Sequence, residues 1–140
     1  MNTRISALFL LLASFSSVTV ADLLLYGGKD YEEFLGCLSC GKYDKQSICN
    51  KFEDYGSVFS AKSIWNKDGK FGYKYNKESP WNKFSTNPPK VMDENGRFYG
   101  FFAANKYQKD RTANIRYAAL LNDADNAYKD LEKARDQFCK

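Results

Sequence analysis

Histidine is absent from this 140-residue chain. That removes Ser-His-Asp and Cys-His nucleophilic sites, His-containing zinc sites and imidazole acid–base chemistry. No apolar run is long enough to span a bilayer, which takes about 20 consecutive apolar residues. After residue 21 there is no Asn-x-Ser/Thr glycosylation acceptor. Charge of one sign is also scarce. The formal net charge is only +4, and the lysines alternate with Asp and Glu instead of forming a block. A nucleic-acid-binding face needs a basic stripe, so no nucleic-acid partner is expected. No nucleotide, metal or cofactor motif is present, and none is expected to be used.

What is present begins at the N-terminus. One cation, Arg4, precedes an apolar stretch from Ile5 to Ala13 broken only by Ser6. Ser14, Ser16 and Ser17 follow, and the segment closes on Thr19-Val20-Ala21. Small residues at the two positions that a signal peptidase reads make residues 1–21 a cleavable signal peptide. The mature chain, Asp22 to Lys140, then has the size of one domain and no transmembrane segment. All four cysteines, Cys37, Cys40, Cys49 and Cys139, lie in it. An even count in an exported chain argues for two disulfides, with three pairings open. Cys139 is far from the other three, so at least one bridge should tie the chain ends together. Closing a loop of about 100 residues stabilises a fold by roughly 4–5 kcal/mol in the chain-entropy account.

The most informative feature is a repeat. Ser47-Ile48-Cys49-Asn50-Lys51 is followed 16 residues on by Ser63-Ile64-Trp65-Asn66-Lys67, and 16 further by Ser79-Pro80-Trp81-Asn82-Lys83. Tyr43, Phe59 and Tyr75 keep the same phase, as do Tyr55 with Phe71 and Gly56 with Gly72. A fainter echo relates Phe34-Leu35-Gly36-Cys37-Leu38 to Phe98-Tyr99-Gly100-Phe101-Phe102, four periods later. Within a unit the residue types favour turns. Asn50, Asn66 and Asn82 suit Asx turns, Asp44 suits a cap, and Pro80 in the Ile48/Ile64 slot argues against a central strand. The slot shared by Cys49, Trp65 and Trp81 is most simply an inward one.

Beyond Pro88-Pro89 the pattern changes. Val91-Met92-Asp93 and Arg97 to Phe101 flank Asn95-Gly96, a hairpin signal over about 90–103. From about 112 to 138 there is neither Gly nor Pro. Leu120, Ala124, Ala127, Leu131, Ala134 and Phe138 recur at 4-3-4-3-4, predicting one long amphipathic helix. The expected fold is therefore α+β: a single disulfide-stabilised domain over 22–140, with short strands, hairpins and turn-rich 16-residue repeats (about 43–89) packed against that helix. A monomer is favoured over a coiled-coil dimer, because so many stripe positions are alanine.

Three kinds of chemistry are open to these residues. Aromatics beside Asn and Lys can cover the apolar faces of sugars while amides and ammonium groups bind the hydroxyls. Tyr55, Tyr73, Tyr75, Tyr107, Trp65 and Trp81 are the candidates, with core packing the favoured role for the two tryptophans. Glu32, Glu33, Asp93 and Glu94 provide acids for a carboxylate-dependent hydrolase, without a motif that pairs them. Cys37-Leu38-Ser39-Cys40 has the spacing of thiol oxidoreductases, but no βαβ pattern surrounds it, so a structural disulfide is favoured.

The Tyr-Gly-Ser and Ser-Ile-Trp-Asn rhythm, preceded by Gly36-Cys37-Leu38-Ser39-Cys40 and followed by Asn-Pro-Pro and Gly-x-Phe-Tyr-Gly, resembles a group of small exported bacterial proteins. The likeness spans roughly Phe34 to Thr112 and departs at Cys49, which stands where the later units have Trp, and at Asp68. It implies a secreted or periplasmic protein and transfers no catalytic residue. The expectation is thus an exported, non-catalytic binding or structural module whose partner is an envelope glycan or protein. A hydrolase is the alternative, and a thiol-redox role through Cys37 and Cys40 comes third.

Overall fold

The computed structural model describes residues 11–140. The first half of the expected signal peptide, residues 1–10, lies outside the described residues. Residues 11–21 carry no helix or strand, and Leu11, Leu12, Phe15, Val18 and Val20 are exposed.

The fold is α+β: a four-stranded antiparallel sheet and three helices near the C-terminus. The strands are β1 (Leu24–Gly27), β2 (Glu33–Cys37), β3 (Lys90–Met92) and β4 (Phe98–Phe101), in the order β2-β1-β3-β4. Leu25 of β1 pairs with Gly36 on one side and Val91 on the other, so two hairpins meet along β1. The β3–β4 hairpin turns where the sequence signal placed it. Asp93 accepts from the N–H groups of Asn95 and Arg97 at 2.9 and 3.0 Å, and Gly96 supplies a positive φ of 79°.

Everything between β2 and β3 leaves the sheet and returns to it as a chain of turns. Backbone N–H groups bond to carbonyls three residues back at Asn50, Glu53 and Gly56, then at Ser63, Asn66, Gly69 and Gly72, then at Asn76, Ser79, Asn82 and Ser85. Side chains lock these turns at a 16-residue recurrence. The hydroxyls of Ser47, Ser63 and Ser79 accept from the N–H of Cys49, Trp65 and Trp81. The amide oxygens of Asn50, Asn66 and Asn82 accept from the N–H two residues on. Their amide nitrogens reach back across the coil to the carbonyls of Asp44, Ser60 and Asn76, at 3.2, 3.0 and 3.0 Å. Asn fits this slot because its amide accepts through the oxygen and donates through the nitrogen at once, and an ionised Asp cannot donate. Glycine is required at Gly72 for space: an added Cβ would collide with the backbone of Asn66.

Successive coils stack through their centres. The Trp65 indole N–H donates to the Ile48 carbonyl at 2.8 Å, and that of Trp81 to the Ile64 carbonyl at 2.5 Å. The two rings lie 5.6 Å apart. In the first coil Cys49 occupies this slot and bridges to Cys139. Ile48, Ile64, Trp65, Phe71 and Trp81 join Leu25, Leu35, Val91 and Phe102 in one core.

Both ends of the coil region are tied by the same crossing. Cys37 accepts from Ile48 N–H and donates to Gln46 O; 64 residues later Phe101 accepts from Thr112 N–H and donates to Asp110 O. The preceding glycines, Gly36 and Gly100, both need positive φ (114° and 100°), and both lie against the backbone that crosses them.

The single helix expected over 112–138 is corrected to three: α1 (Ile115–Asn122), α2 (Ala124–Lys129) and α3 (Leu131–Phe138). Thr112 is held by β4, so the first helix starts later, capped by Asn114, whose side chain accepts from Arg116 and Tyr117 N–H. The breaks fall at two aspartates. Asp130 is extended (φ −150°, ψ 88°) and its carboxylate accepts from Lys133 N–H, starting α3 anew. Asp123 bends the chain between α1 and α2. The stripe still faces inward: Ala124, Ala127, Leu131 and Ala134 are buried, Leu120 and Phe138 half-buried. Arg135 is 1 % exposed and donates to Gly56 O at 2.7 Å, pairing outward with Asp136 at 3.0 Å.

Candidate functional site

The helical segment runs along the coils, and clefts open between them at corresponding places. The first, about 420 Å³, is lined by Lys42, Tyr43, Cys49, Asn50, Lys51 and Phe52, with Asp136 opposite. The second, about 250 Å³, is lined on the coil side by the residues 16 positions later, Val58, Phe59, Trp65, Asn66, Lys67 and Asp68, with Lys129 to Glu132 opposite. The third, about 270 Å³, has Lys83 and Phe84 on the coil side, with Lys106, Tyr107 and the Leu121 to Asp125 region completing it.

The aromatic rims of these clefts are open to solvent. Tyr43 is 78 % exposed, Phe59 90 %, Phe84 77 % and Tyr107 89 %. Tyr75, of the same phase as Tyr43 and Phe59, is also exposed; Lys74 reaches over its ring and over Tyr128 of α2. Exposed single apolar residues are ordinary on a protein surface, whereas contiguous exposed apolar patches are associated with contact surfaces.

Charges around the clefts are of both signs. Lys83 bonds Asp125 at 2.8 Å, and Lys67 donates to the Lys129 carbonyl at 3.1 Å, pinning coil to helix. Asp130 caps α3 and Glu132 pairs with Arg135 at 3.4 Å. The hydrogen bond from Lys83, then its charge, hold the Asp125 carboxyl below its ordinary value of 3.8. A carboxyl lowered in the folded state adds stability above its unfolded pKa, and that contribution is lost as pH falls through the folded value. In an NMR pH titration Asp125 should therefore titrate below 3.8, and Lys83→Met should return it to the ordinary range. Both side chains are more than half exposed, so little overall stability is at stake.

The six aromatics chosen from sequence separate into groups. Trp65 and Trp81 are 1 % and 3 % exposed, so neither offers a face to a ligand. Tyr55 is half-buried with its ring 4.9 Å from Phe34, away from the clefts. Tyr73 and Tyr75 are exposed and meet edge-on at 5.5 Å, and Tyr107 rims the third cleft. Tyr43, Phe52, Phe59 and Phe84 were not among the six. For Phe52 and Phe84 a signal was available: a slot that holds Phe52, then Asp68, then Phe84 faces solvent in every coil.

The other candidate chemistries find less support in the geometry. Asp93 is committed to its hairpin, accepting also from the Tyr99 hydroxyl at 2.9 Å. The hydrogen bonds from Arg97 N–H and Tyr99 keep its pKa low. Glu33 pairs with Lys70 at 3.1 Å, whose other partner is the buried Glu78 at 3.0 Å. Glu32 and Glu94 are exposed. Cys37 and Cys40 are joined in a disulfide with Cys37 fully buried at the end of β2, and no helix begins there to stabilise a thiolate. Asp22 lies close to both sulfurs, but bridged cysteines offer no thiolate to a metal. A groove of about 500 Å³ along the helices is lined by Ala119, Leu120, Ala127 and Ala134 among others. No protein-family model matches the chain, and searches among curated proteins and among solved structures return no match.

Proposed function

We propose that this protein is an exported, non-catalytic module that binds an envelope or extracellular partner through the row of aromatic-rimmed clefts. The observation that carries the reading is the set of exposed aromatics, Tyr43 and Phe59 one repeat apart and Phe84 with Tyr107 at the third cleft, beside lysines on a frame fixed by disulfides and turn hydrogen bonds. A rigid, pre-formed surface loses little entropy on binding, and aromatic side chains are the usual anchors of such surfaces.

Export is supported by the signal-like N-terminus, and the exposed apolar residues 11–20 have no place in the core. Two disulfides with no free cysteine suit an oxidising compartment, the periplasm or the exterior. No helix among the described residues is long and apolar enough to cross a membrane. A non-catalytic role is favoured by the engagement of Asp93 in its hairpin and of Glu33 in an ion pair.

Pull-downs from envelope and extracellular fractions with the oxidised protein test the reading. The wild-type protein should retain a partner that Tyr43→Ala/Phe59→Ala/Phe84→Ala loses, with near-UV dichroism unchanged. Retention by the triple variant equal to wild type would move the contact surface elsewhere.

A further inference from the structure

The partner of a repeating surface is constrained by the repeat itself. The second cleft is built, on its coil side, from the residues 16 positions after those of the first. On the helical side the breaks at Asp123 and Asp130 are seven residues apart, and the clefts advance along the helices in similar steps. Seven helical residues are about two turns, or about 10 Å of rise. The first two clefts therefore offer matching contacts one repeat apart, and the third, at Lys83 and Phe84, follows farther along the helical segment. A ligand that is itself periodic and straight meets all of them in one register. A globular partner gains nothing from the regularity.

The chemistry at each step narrows the class. An open aromatic ring stands at every cleft, as the face of a pyranose requires. Lysines supply donors, and Asp136, Asp68 with Asp130, and Asp125 supply acceptors. Hydroxyl groups, which donate and accept, match such a mixed set. A polyanion is matched less well: every cleft sets at least one carboxylate beside its two lysines, and Lys83 is already engaged by Asp125. An anionic lipid surface meets the same objection.

We infer that the row of clefts binds a straight, uncharged, linear glycan lying along the coil axis, each coil engaging a length on the order of a disaccharide. The inference rests on the binding role proposed above and names the ligand class for that site.

Calorimetry or affinity electrophoresis with the full-length, disulfide-bonded protein tests it. The probes are β-1,4-linked glucose and N-acetylglucosamine oligomers of increasing length, α-1,4-linked glucose oligomers, polygalacturonate and phosphatidylglycerol vesicles. At least one β-linked series should bind, gaining affinity with length until the clefts are spanned and changing less than about twofold between low and high salt. Tyr43→Ala, Phe59→Ala and Phe84→Ala should each weaken binding by about three- to tenfold. Phe98→Ala, a half-exposed aromatic on β4 away from the clefts, should leave it unchanged. Affinity independent of length, preference for the coiled α-linked oligomers, binding of neither β-linked series, or salt-sensitive binding to polygalacturonate or vesicles alone overturns the glycan inference. The outcomes separate from those of the pull-down. If the cleft variants still lose an envelope protein or polyanion, the binding role stands without the uncharged glycan. If they lose no partner, both readings fall.

Discussion

Replacing Cys49 and Cys139 together by serine is expected to cost about 4–5 kcal/mol of stability, against about 2 kcal/mol for replacing Cys37 and Cys40. The difference follows from loop length. The first bridge joins residues 90 apart, the second residues only three apart, and a cross-link restricts the unfolded chain in proportion to the logarithm of the loop it closes. A domain of this size has a total stability of about 5–15 kcal/mol, so the longer bridge is a large share of it. Its position adds a second effect. Both its sulfurs are buried, and Cys49 fills the slot that Trp65 and Trp81 fill in the later coils, so two serines there would also place hydroxyls in the core. Urea unfolding of the two double variants at equal pH measures the difference. Equal losses from both would show that loop closure is not what the longer bridge contributes.

Trp65→Ala should destabilise by about 3–5 kcal/mol, the range for deleting a large aromatic from a packed core. Trp65 is 1 % exposed and lies between coils, its ring 5.6 Å from Trp81 and 6.3 Å from Phe138. It joins coil to coil and coil to α3, so few neighbours could close over the space left. Trp65→Phe separates packing from hydrogen bonding. It keeps most of the ring volume but leaves the Ile48 carbonyl without its donor, at a cost of about 1–3 kcal/mol. Chemical denaturation followed by far-UV dichroism reads both variants. A loss below about 1 kcal/mol for Trp65→Ala would be incompatible with a core role.

Much of the turn region could be read before any coordinates because its bonds depend on particular side chains. A Ser that accepts two residues on, and an Asn that accepts forward and donates back, leave identities fixed at a fixed spacing. The helical region is the opposite case. Its 4-3-4-3-4 stripe records only which side is buried, and Asp123 and Asp130 fall at surface positions where an aspartate inside an unbroken helix would look the same. The capping bond from Lys133 N–H at Asp130 is local and competes with helix continuation, and the stripe does not record which of the two wins. Strand β1 was hidden for another reason: Leu23-Leu24-Leu25 is a continuous apolar run with no alternation to mark a strand. The clefts were half-legible. The tryptophans drew attention as the largest aromatics, although size pulled them inward, and the smaller rings at Tyr43, Phe59 and Phe84 form the open rims.

The pairing of one coil with about two helical turns has an evolutionary consequence. A surface built from repeats invites growth by tandem duplication, and a 16-residue duplication between Asn50 and Ser79 would leave every turn bond intact. It would also carry the new coil past the end of the helical segment, because Lys83–Asp125, Lys67–Lys129 and Cys49–Cys139 already fix which coil meets which turn. Duplication in one place must then be matched by about seven residues inserted some fifty positions downstream. Such coupled changes are rare. The length of this surface is therefore held by a caliper within the same molecule, and homologous chains should differ in coil number only where their helical segments differ in step.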